Sequence, residues 1–209
     1  MTKSTPTSSF QDRSYFLLAL IAMALVVLVS NILVQHPFTP LGLADFLTWA
    51  AFTYPVAFLI NDLTNRYYGP KAARKVVFLG FVLAVILSLI FADMRIAIAS
   101  GTAFFTAHML DVFVFDKLRD KLTWWHAPLL SSLLGSSIDT LIFFPLAFYG
   151  AGDSFINMVQ SYSILGISLT METWVMWAFC DYMVKLGVAV VMLGAYRLFL
   201  KNMLQKPAF

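Results

Sequence analysis

The sequence predicts an all-α, polytopic membrane protein of six transmembrane helices with both termini cytoplasmic. Three observations predict it. Of the 209 residues, 60% are hydrophobic and only 12% charged, too few charges to solvate the surface of a water-soluble domain of this size. Apolar runs of about 20 residues recur along the chain, the length a helix needs to cross a hydrocarbon core of roughly 30 Å. Lysine and arginine gather in alternate connections, which orients the spans. The runs are continuous rather than alternating, and this excludes the strands of a membrane barrel.

Residues 1–14 read as a disordered cytoplasmic tail, rich in serine and threonine. The apolar run from Tyr15 to about Val34 is longer than the apolar part of a secretory signal, and no small-x-small cleavage site follows it, so 15–35 reads as a retained first helix. Pro37, Pro40 and Gly42 punctuate the first connection, and the second span covers 43–62. Gly69-Pro70 marks the turn before the third, 75–92, and Asp93–Arg95 the turn before the fourth, 96–116. The fifth, 126–149, ends at Gly150 and Gly152; the sixth covers 173–199. Residues 15–200 thus form one transmembrane domain, and 201–209 a second cytoplasmic tail. Pro55 and Pro145 lie inside spans, where kinks are expected. The segment 153–172 is apolar but interrupted by Asn157, Gln160, Ser163 and Gly166; an interfacial or re-entrant helix is expected there.

Charge placement fixes the orientation. Lys3 and Arg13, then Arg66, Lys71, Arg74 and Lys75, then Lys117, Arg119 and Lys121, and last Arg197, Lys201 and Lys206 all fall on one side of a six-span bundle. The positive-inside rule makes that side cytoplasmic. These residues are topology signals, so the net charge of +3 does not indicate a nucleic-acid partner. The lone Cys180 rules out an intrachain disulfide framework, and no cofactor or metal is indicated because no hard-metal ligand spacing occurs.

Seven ionisable residues remain in or beside the spans: Asp62, Asp93, Arg95, Asp111, Asp139, Asp181 and Lys185. A charge at membrane depth costs several kcal/mol and persists where it meets a partner or a wet cavity. Helical spacing aligns them with other polar and aromatic groups. Ser100, Gly101, Phe104, His108 and Asp111 share a face of the fourth span; Ser132, Gly135, Ser136, Asp139 and Phe143 share one of the fifth. Trp177, Asp181 and Lys185 stand four apart on the sixth, and Tyr54, Phe58, Asn61, Asp62 and Asn65 line the second. Each stripe mixes aromatic surface with a carboxylate. Ionised aspartate only accepts hydrogen bonds and so complements the adjacent N–H donors of a guanine-type edge, while aromatic faces stack on the ring. Structural readings stand beside these: an insertable Asp181–Lys185 ion pair, an Asp62–Arg66 anchor, Asp93 and Arg95 snorkelling at a span end, and His108 as a packing residue.

Several stretches resemble the queuosine precursor transporter family, also called the vitamin uptake transporter family. They are TYPVAFLINDLTNRYYG from Thr53 to Gly69, LDVFVFDKLR from Leu110 to Arg119, Trp124-Trp125, the run from Ser131 to Phe144 containing SIDTLIFF, and CDYMVK from Cys180 to Lys185. The resemblance covers about residues 30–190. It implies a six-helix importer in the bacterial inner (cytoplasmic) membrane, not an enzyme, that takes up 7-cyano- or 7-aminomethyl-7-deazaguanine for tRNA queuosine salvage. It carries over Asn61, Asp62, Arg95, Asp111, Asp139, Thr140, Asp181 and Lys185; Trp177 joins the substrate-binding set from its stripe. Three departures stand out: a short turn before Arg95, a long 153–172 segment, and His108 where an amide is expected. The partners expected are a small-molecule substrate and the lipid bilayer, with a homo-oligomer left open.

Three other readings compete, one of them a structural membrane subunit without a ligand. A substrate-binding subunit of an energy-coupling-factor importer would dock through a small-xxx-small first helix, but Ala19, Ala22 and Ala24 do not give that spacing. An intramembrane enzyme would use paired aspartates as acid and base, but no Gly-x-Gly-Asp, His-Glu-x-x-His or Gly-x-Ser-x-Gly motif occurs.

Overall fold

A computed structural model describes residues 7–91, 94–152, 156–164 and 167–204. Among the described residues, five helices are long and apolar enough to cross a membrane: α1 (Thr7–Leu33), α4 (Pro70–Phe91), α5 (Met94–Leu118), α6 (His126–Phe148) and α7 (Thr173–Leu204). Their large exposed side chains, such as Leu17, Ile90, Leu141 and Val191, are what a lipid-facing surface requires. The chain is a multi-pass membrane protein. α1 begins at Thr7, within the segment read as a tail. Asp93 lies outside the described residues.

The second expected span is not one helix over 43–62. Residues 34–49 form a closed loop, held by Phe38 N–H to Leu47 O (2.8 Å) and Trp49 N–H to His36 O (3.1 Å), with a short 3-10 turn at Pro40–Gly42. Two prolines and the positive φ of Leu41 and Gly42 keep that stretch from helix. Helix starts only at α2 (Ala50–Thr53), breaks at Tyr54-Pro55, and resumes as α3 (Val56–Tyr68). At 13 residues, α3 is about 20 Å long and too short to span alone. It runs past 62 because Asn61, Asp62, Thr64 and Asn65 are buried against other helices rather than leaving the bilayer. Gly69, at φ 81°, then ends α3, and Pro70 opens α4 at the position where proline costs no hydrogen bond.

The segment after α6 is also corrected. In place of an interfacial or re-entrant helix it forms an antiparallel hairpin, β1 (Val159–Ile164) against β2 (Ile167–Glu172), in register from Val159↔Glu172 to Ile164↔Ile167. Gln160, Tyr162, Ser168 and Thr170 recur at every second position, the period of a strand. The fold is therefore mainly helical with one small hairpin, not purely α. Thr173 N–H closes the hairpin onto Met158 O (3.1 Å) where α7 begins.

Helices α5 and α6 form the central antiparallel pair, with α4 packed on α5 and α7 on α6. The apolar core lies between α1, α3, α4 and α5, around Met23, Val27, Val76, Val77 and Val112. Close approach depends on Gly101: a Cβ there would lie 2.7 Å from Val85 Cγ2 and 3.3 Å from a Phe81 ring carbon. Gly101→Val is expected to push α4 off α5 and cost about 1–3 kcal/mol, read as a lower melting temperature in detergent.

Candidate functional site

Asp139 of α6 and Asp181 and Lys185 of α7 meet in one cluster. Lys185 Nζ donates to Asp139 Oδ2 at 2.7 Å, to Asp181 Oδ2 at 2.5 Å and to Thr140 Oγ1 at 3.3 Å. An ammonium has three N–H groups, and all three are used. Thr140 Oγ1 in turn donates to Asp181 Oδ2 at 3.5 Å. The lysine is 4% exposed, so burial is offset by two carboxylates, and the cluster keeps one net negative charge. Among the described residues, neither Asp139 Oδ1 nor Asp181 Oδ1 has a protein partner.

This cluster forms one wall of a cavity of about 350 Å³, within the range of small-molecule sites. The lining also includes Ala44–Thr48 of the loop before α2, together with Asn31 and Ser88. Phe143, Phe144, Phe148 and Trp177 supply an aromatic wall, in edge-to-face or tilted contacts with ring centroids 5.2–5.9 Å apart. Trp177 Nε1–H is tied to Asp45 O at 2.7 Å, joining α7 to the loop. The floor is Phe58, Phe104 and His108. The imidazole of His108 stacks on Phe58 at 4.2 Å and 21°, and packs on Phe104 at 4.2 Å. Gly135 lets the α6 backbone press on that floor, since a Cβ would lie 2.5 Å from Phe58 Cε1.

The remaining sequence-predicted residues lie elsewhere. Asn61, Asp62 and Asp111 form a second buried group below the floor: Asn61 Nδ2–H donates to Asp111 Oδ2 at 2.6 Å, and Ser131 Oγ–H to Asp62 Oδ1 at 3.2 Å. None of Asn61, Asp62 and Asp111 lines the large cavity. Arg95 donates from Nε to Leu146 O at 2.8 Å and from Nη2 to Tyr149 O, satisfying carbonyls left open at the end of α6. Exposed at that end, it also lies off the cavity wall. Asp62 does not pair with Arg66, whose guanidinium goes to Asp120 and to Arg119 O.

Sequence reasoning missed the polar link Asn31–Ser88–Ser100, at 3.2 and 3.0 Å, and the lining from Ala44 to Thr48. Asn31 and Ser88, each polar within an otherwise apolar run, were the available signal.

Residues 48–94 and 92–199 match the family described as "Putative vitamin uptake transporter". That is well over half of the chain. The chain belongs to this family. Two curated members of comparable length are similar throughout. A "Probable queuosine precursor transporter" of Haemophilus influenzae is 34% identical, with 87% of this chain and 84% of the relative covered. The "Queuosine precursor transporter" of Escherichia coli is 33% identical, covering 88% and 86%. A Bacillus subtilis "Probable queuosine precursor transporter" is 29% identical over 46% of this chain and 54% of the relative. No solved structure matches. Within the vitamin uptake transporter family, this chain's Asp139, Asp181, Lys185 and Trp177 surround one cavity, and Thr140 braces two of them.

Proposed function

We propose that this chain imports queuosine precursors, 7-cyano-7-deazaguanine or 7-aminomethyl-7-deazaguanine, across the bacterial cytoplasmic membrane by secondary transport. The observation that carries the reading is the Asp139–Lys185–Asp181 cluster, with free carboxylate oxygens on the wall of an aromatic-sided cavity. A guanine-type edge offers adjacent N–H donors that an ionised carboxylate oxygen accepts, and charge-assisted bonds of this kind are the strong ones. Asp139 Oδ1 grips that edge, Phe143, Phe148 and Trp177 cover the ring, and Lys185 holds both carboxylates in place. The names of the relatives point to the same substrate class.

With the basic loops in the cytoplasm, the cavity lies toward the outside, and the Phe58–His108 floor closes it from within. The test is the queuosine content of tRNA in a strain that cannot make the precursors but is fed either one. Deletion of this protein is expected to abolish salvage, and its return on a plasmid to restore it. Undiminished salvage in a deletion strain lacking any second importer overturns the assignment.

A further inference from the structure

Below the cavity floor, two carboxylates are buried without an ion-pair partner among the described residues. Asp111 is 0% and Asp62 1% exposed. Both lie in the contact between α3, α5 and α6, linked through Asn61, which precedes Asp62 on α3 and donates to Asp111 on α5. The groups facing them are Asn61 from α3, Ser131 from α6, Tyr196 from α7 and the backbone carbonyl of His108 from α5, whose imidazole turns into the cavity floor. Arg66 and Arg119 stand beyond, committed to Asp120, Asp116 and the Asn65 carbonyl. Lys185 is occupied in the cavity cluster.

On Asn61 and Asp111 the free atoms are both acceptors; the other buried side-chain atoms without a hydrogen bond among the described residues, His108 Nδ1 and Arg119 Nε, belong to the cavity floor and to the Asp116–Asp120 ion pairs. Asn61 Nδ2–H is spent on Asp111 Oδ2 and His108 O, which fixes the amide orientation and leaves Asn61 Oδ1 buried without a partner. Asp111 Oδ1 is likewise buried and unpartnered. Two orphaned acceptors, one of them on a carboxylate, lack a donor, and the carboxylate pair lacks a positive charge. A divalent cation takes six or more oxygens, and among the described residues no three His, Cys, Asp or Glu side chains gather to hold one. One proton suffices: on Asp111 it turns an acceptor-only group into a donor and acceptor, the complement of a carboxamide.

We propose that Asp111 and Asp62, braced by Asn61 and Ser131, share one proton and form the proton-coupling site of the transporter, separate from the substrate cavity. The coupling half of this inference rests on the transport function proposed above. The two sites are mechanically joined. Phe58 of the cavity floor is one turn from Asn61 and Asp62 on α3, and His108 one turn from Asp111 on α5. Phe58 also borders a void of about 10 Å³ beside Asp62 and Tyr196, room for about one water. On release the Asp111 O–H bond breaks, its electron pair stays on oxygen and water takes the proton. Asp62 and Asp111 then both carry charge in a buried contact that holds no cation of its own, and their repulsion parts α3 from α5 and α6 beneath the floor.

The test uses the full-length protein in proteoliposomes with labelled 7-cyano-7-deazaguanine. With the outside one pH unit more acidic, wild type is expected to accumulate label about tenfold per proton carried. Asp111→Asn and Asp62→Asn are expected to lose that accumulation yet still exchange labelled for unlabelled substrate. Infrared difference spectra supply a readout that needs no substrate. Wild type at neutral pH is expected to show a protonated-carboxyl stretch that heavy water shifts and that either Asn variant removes. A wild-type spectrum without that band overturns the proposal, as does pH-driven accumulation surviving in both variants, or accumulation driven by sodium at equal pH. Wild type that neither binds nor exchanges the deazaguanine sinks the transport function instead, while the infrared band still decides the shared proton.

Discussion

Lys185→Met is expected to abolish uptake and to destabilise the protein by about 3–5 kcal/mol, the usual cost of stripping one partner from a buried ion pair. Lys185 Nζ has three acceptors, and methionine offers none of the donors they need. Asp139 and Asp181 would then repel each other across the α6–α7 contact. Thermal unfolding in detergent reads the stability, and uptake by whole cells the function. A triple variant that adds Asp139→Asn and Asp181→Asn is expected to recover much of the melting temperature, because it removes the charges along with their partner, but not uptake. A single variant with unaltered melting and uptake would show that the ammonium holds nothing together.

Asp139→Asn is expected to lower substrate affinity by about 10- to 100-fold, the worth of one hydrogen bond to a charged group. The carboxamide keeps the shape and one acceptor but loses the charge, and it turns an N–H toward either Lys185 or the substrate edge. Stabilisation of the purified protein by added 7-cyano-7-deazaguanine reads this directly, and it should shrink or vanish in the variant. Asp111→Asn serves as the contrast: it lies below the floor and off the cavity wall, so ligand stabilisation should persist there. Equal loss in both variants would place the substrate deeper than the cavity cluster.

Much of this architecture could be read from the residues, and what escaped did so for physical reasons. Continuous apolar length gave α1, α4, α5, α6 and α7, because lipid-facing helices need little else. Spacing of four put Asp181 and Lys185 on one face, and they do pair. The partnership of Lys185 with Asp139, 46 positions away on another helix, is set by packing and leaves no trace in local spacing. Nor could spacing divide the carboxylates between two levels: Asp111 and Asp139 look alike as lone acids on small-residue stripes, yet only Asp139 faces the cavity. Arg95 read equally well as a site residue and as a span-end residue; the open carbonyls of Leu146 and Tyr149, 51 and 54 positions on, take it. The loop from 34 to 49 read as helix from Leu43 on because its apolar residues resemble those of a span, although Leu47 turns inward and Ala44 to Thr48 border the cavity. The hairpin was hidden by its length, since 153–172 has the size and polarity of an interfacial helix and the alternation within it is brief.

The break at Tyr54-Pro55 bears on how the chain enters its membrane. A 13-residue α3 with Asn61, Asp62 and Asn65 on its buried face is a poor substrate for insertion by itself, since one aspartate at mid-depth costs about 2.5–3.5 kcal/mol on translocon scales. Among the described residues, its side-chain amides donate only to α5, at Asp111, His108 O and Val112 O. α5 follows α3 in the chain, so the partners that shelter these amides are synthesised only after α3 itself.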